Sequence, residues 1–332
     1  MFSELPVSAQ ALYAELLEQC LMASYSRNGI SPLMIRVKDS DHWYLELTIG
    51  QTRRRVYIGP DNDQNRAWVE RFKQVKMKSK AEARQRQRLV SMLATAGYQT
   101  ASGREYRVFE ALSQAGVFLA GGVIVGSHAF SMIGNILGVS WDRQLTRTQD
   151  IDIADDFRIH VGLPQHDTDI AKALKIADDS FMPVPALDAG SPSTSFLVRG
   201  AQLRVDILTP MIGKTSSKPI ALKSIKAMAA PVRFLDYLLT DTQPAVLIAG
   251  AGVLVNIPNP ARYALHKLVI SRRRQPGFQA KANKDLAQAR SILEWLELNR
   301  PGDIDIAMAA AEKMPDKFLQ QLQEGLNRLK RW

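Results

Sequence analysis

The period of the apolar positions changes several times along the chain. Residues 8–25 (SAQALYAELLEQCLMASY) repeat them every three or four places, the spacing of a helix with one buried face, and Ser8 stands where an N-cap is expected. Asn28-Gly29 and Pro32 end that pattern. Three short β-like runs follow at 33–38, 43–49 and 54–58, separated by Asp39-Ser-Asp41 and Gly50-Gln-Thr52, and they predict an antiparallel meander. Residues 63–96 hold neither proline nor glycine. Their apolar positions (Trp68, Phe72, Val75, Leu89, Met92, Leu93) are sparse in the middle, so the stretch predicts one or two long helices packed only at the ends. The glycine-bounded segment 97–103 is the natural boundary.

Downstream, residues 106–114 predict a helix leading into a strand at 117–119. The apolar run breaks at Gly126-Ser127 and resumes with helical spacing. In the later DIDIA segment, alternation puts Asp150 and Asp152 on one face of a strand and Ile151 and Ile153 on the other, toward the core. A short helix at 170–177, a proline-rich loop at 181–192 and a hairpin of 196–199 with 203–208 across Gly200-Ala-Gln follow, the last carrying Asp206. A second hairpin joins 244–248 to 253–257 at Gly250-Ala-Gly252. Beyond Pro260 the period is helical again, over 261–271, 281–298, 304–310 and 315–330.

Composition adds limits. With 332 residues, 46% apolar and 23% charged, the chain is long enough for a real core and for two domains or one elaborated domain. The single cysteine, Cys20, excludes an internal disulfide framework, suits a reducing compartment, and on an apolar helix face reads as buried and inert. No apolar run reaches membrane-spanning length, and no basic segment followed by an apolar block marks a secretion signal. A cytoplasmic protein without a membrane partner is expected. The net charge of +10 is uneven: between Arg53 and Arg88 stand twelve Lys or Arg against four Asp or Glu. Such a segment suits RNA or DNA, and equally a solvated basic face.

Three acids on short β-like runs need an explanation, because strands avoid unpaired carboxylates. Asp150 and Asp152 repel each other unless a cation sits between them, and clustered carboxylate oxygens suit Mg²⁺ (or Mn²⁺). Asp206 can join them if its strand lies alongside. Gly126 allows close backbone approach, and Ser127 adds a hydroxyl at a helix start whose N–H groups favour an anion. Together these features point to a nucleoside triphosphate. Other chemistry is not supported: GKT within 211–218 has no preceding glycine at P-loop spacing, and the five histidines make no metal-ligand pattern. His128, next to the Gly-Ser turn, reads either as shaping the pocket or, the more ordinary case, as a structural residue at the helix start, and no Ser-His-Asp order with a nucleophile elbow appears.

The order of Gly-Ser, helix, Asp-x-Asp and a later single Asp resembles the nucleotidyltransferase fold of the DNA polymerase β superfamily. It is similar in particular to a bacterial group with a GSHAF-type turn and a T-x-D-I-D strand; the resemblance spans residues 104–271. It implies that Gly126 and Ser127 hold the triphosphate and that Asp150, Asp152 and Asp206 are the catalytic, metal-binding triad. In the resembled fold a helical bundle after the sheet closes the cleft, which makes Lys267 (on a face with Tyr263) and Lys284 (beside Lys281 and Asp285) candidates for triphosphate contacts. Exposure is the ordinary state of such helix lysines. Arg272-Arg-Arg274, ahead of Pro276-Gly277, reads as a mobile basic loop able to meet an acceptor. The sequence departs from compact members in an insertion at 138–148 (GVSWDRQLTRT), which leaves substrate choice open. The basic meander also resembles small β-sheet modules that bind DNA in some tyrosine recombinases; a small sheet with a solvated basic turn is the other reading.

The expected architecture is therefore α/β (α+β) in three parts. These are a basic N-terminal β-meander and helix (1–100), a nucleotidyltransferase-like mixed sheet (101–258) and a C-terminal helical bundle (259–332). The resemblance implies metal-dependent transfer of a nucleoside monophosphate from an NTP, ATP included, to an acceptor hydroxyl. RNA such as a tRNA end is one acceptor, as in the toxin–antitoxin nucleotidyltransferases that the chain resembles in outline. A protein or small-molecule acceptor, or a nucleic-acid-binding nucleotide sensor without catalysis, are the alternatives.

Overall fold

The computed structural model describes residues 2–26, 29–37, 40–49, 52–156, 158, 168–186, 190–200, 202–274 and 276–330. The chain opens with β1 (Phe2–Glu4) and α1 (Val7–Ser26), followed by β2 (Gly29–Val37), β3 (Ser40–Ile49), β4 (Thr52–Pro60) and α2 (Asp63–Thr95). The expected meander is present, antiparallel in the order β2-β3-β4; Asn28 and the turn residues 38–39 and 50–51 lie outside the described residues. Helix α1 starts at Val7, with the Pro6 carbonyl accepting from the N–H groups of Ala9 and Gln10, so Ser8 lies within the first turn and is not the cap. Pro32 belongs to β2, opposite Leu45, on an edge strand that tolerates a missing donor. Helix α2 is one unbroken helix capped by Asn62. Val69 near its start and Leu89, Val90 and Leu93 near its end are buried; the side chains of residues 71–79 lie outside the description.

Next come α3 (Gly103–Gln114), β5 (Val123–Val125), α4 (Gly126–Leu137), β6 (Val139–Trp141), α5 (Arg143–Thr146) and β7 (Asp150–Ala154). Ser102 and Glu105 close a capping box on α3. The strand expected at 117–119 does not form. The N–H groups of Ala120 and Gly122 turn back onto the carbonyls of Gly116 and Val117, Val117 and Phe118 fill the core as part of a turn, and the strand waits until Val123. Nor is 138–148 a featureless insertion: β6 pairs antiparallel with β1, matching Trp141 to Phe2, and α5 follows it.

The chain continues through α6 (Ile170–Ala177), β8 (Phe181–Pro183), β9 (Ser195–Val198), β10 (Arg204–Pro210), β11 (Ile220–Leu222), β12 (Ala227–Val232), α7 (Leu235–Leu239), β13 (Thr242–Leu247) and β14 (Val253–Pro258), the last two forming a two-stranded sheet of their own. Part of the expected proline loop is thus a strand, because β8 finds a partner in β9. The run AMAAPV has low intrinsic β preference, and its pairing with β10 makes it a strand. Helices α8 (Pro260–Arg273), α9 (Gln279–Asn299), α10 (Pro301–Ala311) and α11 (Asp316–Lys330) complete the chain, with a single 3₁₀ turn at Pro276–Phe278. No helix among the described residues is long and apolar enough to cross a membrane.

The central mixed sheet runs β11-β12-β10-β7-β5, with β9 on the same side of β10 as β12 and β8 beyond it. Strands β7 and β10 are parallel, and β5 is antiparallel to β7. One continuous core joins this sheet to α3, α4 and the C-terminal helices, with Phe130, Ile151, Val205, Tyr263 and Phe318 buried in it. A second, smaller core packs α1 and the end of α2 against Val246 and Ile248; Cys20 is buried there, as expected.

Candidate active site

The register of three strands decides the site. Asp206 lies directly opposite Asp152 across the parallel pair β10–β7, and Arg204 lies opposite Asp150. On the other flank of β7, Val125 stands opposite Asp152, so Gly126 leaves the sheet beside that carboxylate. The predicted alternation holds, with Ile151 and Ile153 fully buried beneath the acids. Gly126 has φ +65°, a left-handed conformation open to glycine. The residue before it, Val125, offers no side-chain cap, which leaves the first-turn N–H groups of α4 for another acceptor.

The helices behind the sheet finish the walls. The Tyr263 hydroxyl of α8 donates to the Gly126 carbonyl at 2.7 Å, tying helix to turn. One turn on, Lys267 donates to Asp285 Oδ1 at 2.8 Å, and its ammonium stands 5.3 Å from the Tyr263 ring centre. Arg274 donates to Asp285 Oδ2 at 3.0 Å. Lys284 donates to the Arg147 carbonyl at 2.7 Å, just ahead of the strand of acids. All seven residues singled out in the sequence (Gly126, Ser127, Asp150, Asp152, Asp206, Lys267 and Lys284) line one cleft of about 680 Å³.

Two expectations change. Lys267 is not an exposed helix lysine: it is 9% exposed and its charge is answered by Asp285. Arg272 and Arg273 close helix α8, and Arg274 is held by Asp285, so the basic triplet is no free loop. Asp285, 3% exposed, is the residue that sequence reasoning passed over, having read it only as part of a helix start. Its signal was available: an aspartate on the stripe shared with Ala282, Ala289 and Ile292 must have cationic partners.

Electrostatics follow the geometry. Burial first, and then the charge of Asp206, push the Asp152 carboxyl up to about 6, with Lys267 opposing. Burial also pulls Asp285 upward, but Lys267 and Arg274 outweigh it and hold the carboxyl below the usual range. Burial opposes the charge of Lys267, yet Tyr263 and Asp285 keep its ammonium above the ordinary lysine range. Lys284 is pulled down by burial and by Lys267. Asp206 is partly engaged: its Oδ1 accepts from Arg204 Nε at 2.7 Å and from the Ser195 hydroxyl. Among the described residues, no group of three or more His, Cys, Asp or Glu side chains is placed to hold a metal ion as it stands.

Adjacent parallel strands carrying Asp152 and Asp206, beside a Gly-Ser helix start, define a nucleotidyltransferase-like α+β fold. The chain belongs to the nucleotidyltransferase family, whose sequence model matches residues 104–313, and is thus a transferase of nucleotidyl groups. A search of curated proteins and of solved structures gives no match. The family match reaches past the resembled span and takes in α8 to α10, which supply Lys267, Lys284 and Asp285 to the cleft; α1, the meander and α2 lie outside it.

Proposed function

We propose that the cleft transfers a nucleoside monophosphate from an NTP to an acceptor hydroxyl, with Mg²⁺ or Mn²⁺ as cofactor and an RNA end as acceptor. The observation that carries this reading is the placement of Asp206 opposite Asp152, with Asp150 on the same face, beside the uncapped start of α4. The triphosphate lies along Gly126 and Ser127, with Lys284 answering its charge and Lys267 and Arg274, which share Asp285, adding one net positive charge. The donor set fits a hard divalent cation in its chemistry: carboxylate oxygens, with burial first and the charge of Asp206 second raising the Asp152 carboxyl to about 6. Asp150, Asp152 and Asp206 would hold the metal, which supplies charge neutralisation on the phosphates and activation of the attacking oxygen.

In the transfer the acceptor oxygen bonds to the α-phosphorus, the bond from that phosphorus to the bridging oxygen breaks, and pyrophosphate leaves. The hydroxyl proton passes to a carboxylate of the cluster, with Asp206 the acid assigned to the acceptor side. Ser195 and Arg204 orient Asp206, and Tyr263 holds the Gly126 carbonyl so that the turn's N–H groups face the phosphates. An RNA acceptor is supported by the net charge of +10 and its concentration between Arg53 and Arg88. The test is incubation of the protein with each labelled NTP, Mg²⁺ or Mn²⁺ and total cellular RNA. Label joined to RNA, lost in Asp150→Ala, is the expected result; label joined only to protein or to small molecules removes RNA as acceptor. No transfer under any of these conditions rejects the catalytic reading.

A further inference from the structure

A second cavity, of about 650 Å³, lies against the flank of α4 and shares Arg147 and Thr148 with the nucleotide cleft. His128, Ser131, Met132 and Asn135 line it, a helical series that presents one face of α4. The loop after α2 contributes Tyr98, α3 contributes Glu105, and the segment after β6 contributes Arg143 at the rim.

Most polar groups here already have partners. Asn135 exchanges two bonds with the Gln99 backbone, each 2.9 Å, and the Ser131 hydroxyl bonds the Ser127 carbonyl. Two do not. Tyr98 Oη and His128 Nε2 are buried, 4% and 7% exposed as residues, and have no hydrogen-bond partner among the described residues. Burying such groups unsatisfied costs about 1–3 kcal/mol each; both belong to residues that line this one cavity, so a ligand that draws either atom to the cavity surface recovers that cost. Glu105 stands beside them, its Oε1 3.7 Å from His128 Nε2 while Oε2 caps the start of α3. Burial holds the His128 imidazole below its ordinary pKa, against the pull of Glu105 and Asp150, so at neutral pH it is an uncharged donor or acceptor.

We propose that this cavity is the acceptor site and takes a ribose phosphate, either a free nucleoside monophosphate or the terminal nucleotide of an RNA strand. The Glu105 carboxylate lines the cavity for sugar hydroxyls, with the Tyr98 phenol and the neutral His128 imidazole just beneath its wall. The exposed rim offers the guanidinium groups of Arg143 and Arg147 for the phosphate. The volume is that of a small-molecule site. His128 directly follows Ser127, so the sugar end stands at the boundary with the nucleotide cleft, within reach of the charge of Asp150. This assignment rests on the nucleotidyl transfer proposed for the adjoining cleft.

The test is calorimetry with adenosine monophosphate, and separately with a short single-stranded RNA, each with and without a non-hydrolysable ATP analogue. Tyr98→Phe removes only an unpartnered hydroxyl and keeps the ring stacked on Tyr13, and Glu105→Gln keeps an oxygen for the capping box. Both variants are expected to fold as the parent and to bind the probe roughly three- to tenfold more weakly, with affinity for the analogue unchanged. The analogue and the probe should bind together. Dependence on Tyr98 for the monophosphate identifies a free acceptor; dependence for the RNA alone identifies a strand end. Competition between monophosphate and analogue, unchanged binding in both variants, or no binding of either probe overturns the proposal. If instead Asp152→Asn and Lys284→Ala leave analogue binding unchanged, the reading of the first cleft fails, and Tyr98-dependent probe binding would still report the second as a site.

Discussion

Gly126 and Asp152 touch so closely that a Cβ at position 126 would fall within the Asp152 carboxylate. The glycine therefore has two reasons: its positive φ and the acid it packs against, in addition to the phosphate approach read from the sequence. Gly126→Ala is expected to destabilise the fold by about 1–3 kcal/mol and to abolish transfer by displacing Asp152. Urea unfolding and a labelled-NTP assay check both parts; full activity in the variant would show that Asp152 can shift without consequence.

Asp152 should make stability depend on pH in an unusual direction for an aspartate. Its carboxyl is raised from 3.8 to about 6 in the fold, so between these values the folded chain binds more protons than the unfolded one. Stability therefore falls as pH rises through that window, and the cost is fully present above it. Asp152→Asn should stabilise the protein by about 1–2 kcal/mol at pH 8 in metal-free buffer and change little at pH 4. Thermal melts at the two pH values, repeated with Mg²⁺, measure this. Added Mg²⁺ should raise the melting temperature of the parent more than that of the variant.

Asp285 is the common partner of Lys267 and Arg274. Asp285→Asn leaves a buried ammonium uncompensated and should cost about 3 kcal/mol, more than loss of either cation alone would suggest. Because its folded carboxyl lies below the ordinary range, its contribution is present above the usual aspartate value and lost as pH falls through the folded value. The variant should accordingly lose less stability on acidification than the parent, as read by denaturant melts from pH 6 to pH 3.

The basic face of α2 gives the RNA reading a test that leaves the fold alone. Lys80, Arg84 and Arg88 are exposed at four-residue spacing, whereas Arg86 is buried and bonded to the Ala251 carbonyl. Truncating the whole N-terminal part would strip α1 from Val246 and Ile248, so substitution is the cleaner probe. Replacing Lys80, Arg84 and Arg88 together by Glu should weaken RNA binding and lower the slope of log affinity against log salt by roughly two to three, with ATP-analogue binding unchanged. Unchanged RNA affinity would make the segment a solvated face.

Local chemistry was legible without any fold. The alternation in DIDIA placed Asp150 and Asp152 together, Gly126-Ser127 announced a helix start, and the hairpin around Gly200 put Asp206 on a strand. These are features whose causes lie within a few residues: strand pleat, helix capping and turn conformation. The strand misplaced at 117–119 and the unassigned 220–239 show the limit of that reasoning, since apolar content there says burial without saying in which conformation. The parallel register that sets Asp206 against Asp152 depends on which strands become neighbours. The meeting of Lys267, Arg274 and Asp285 depends on how α8 and α9 pack. The cavity at Tyr98 and His128 depends on what packing leaves unfilled. Tertiary structure alone decided these three, because each joins residues from separate segments through distance and exclusion of water, and neither quantity is written in local sequence.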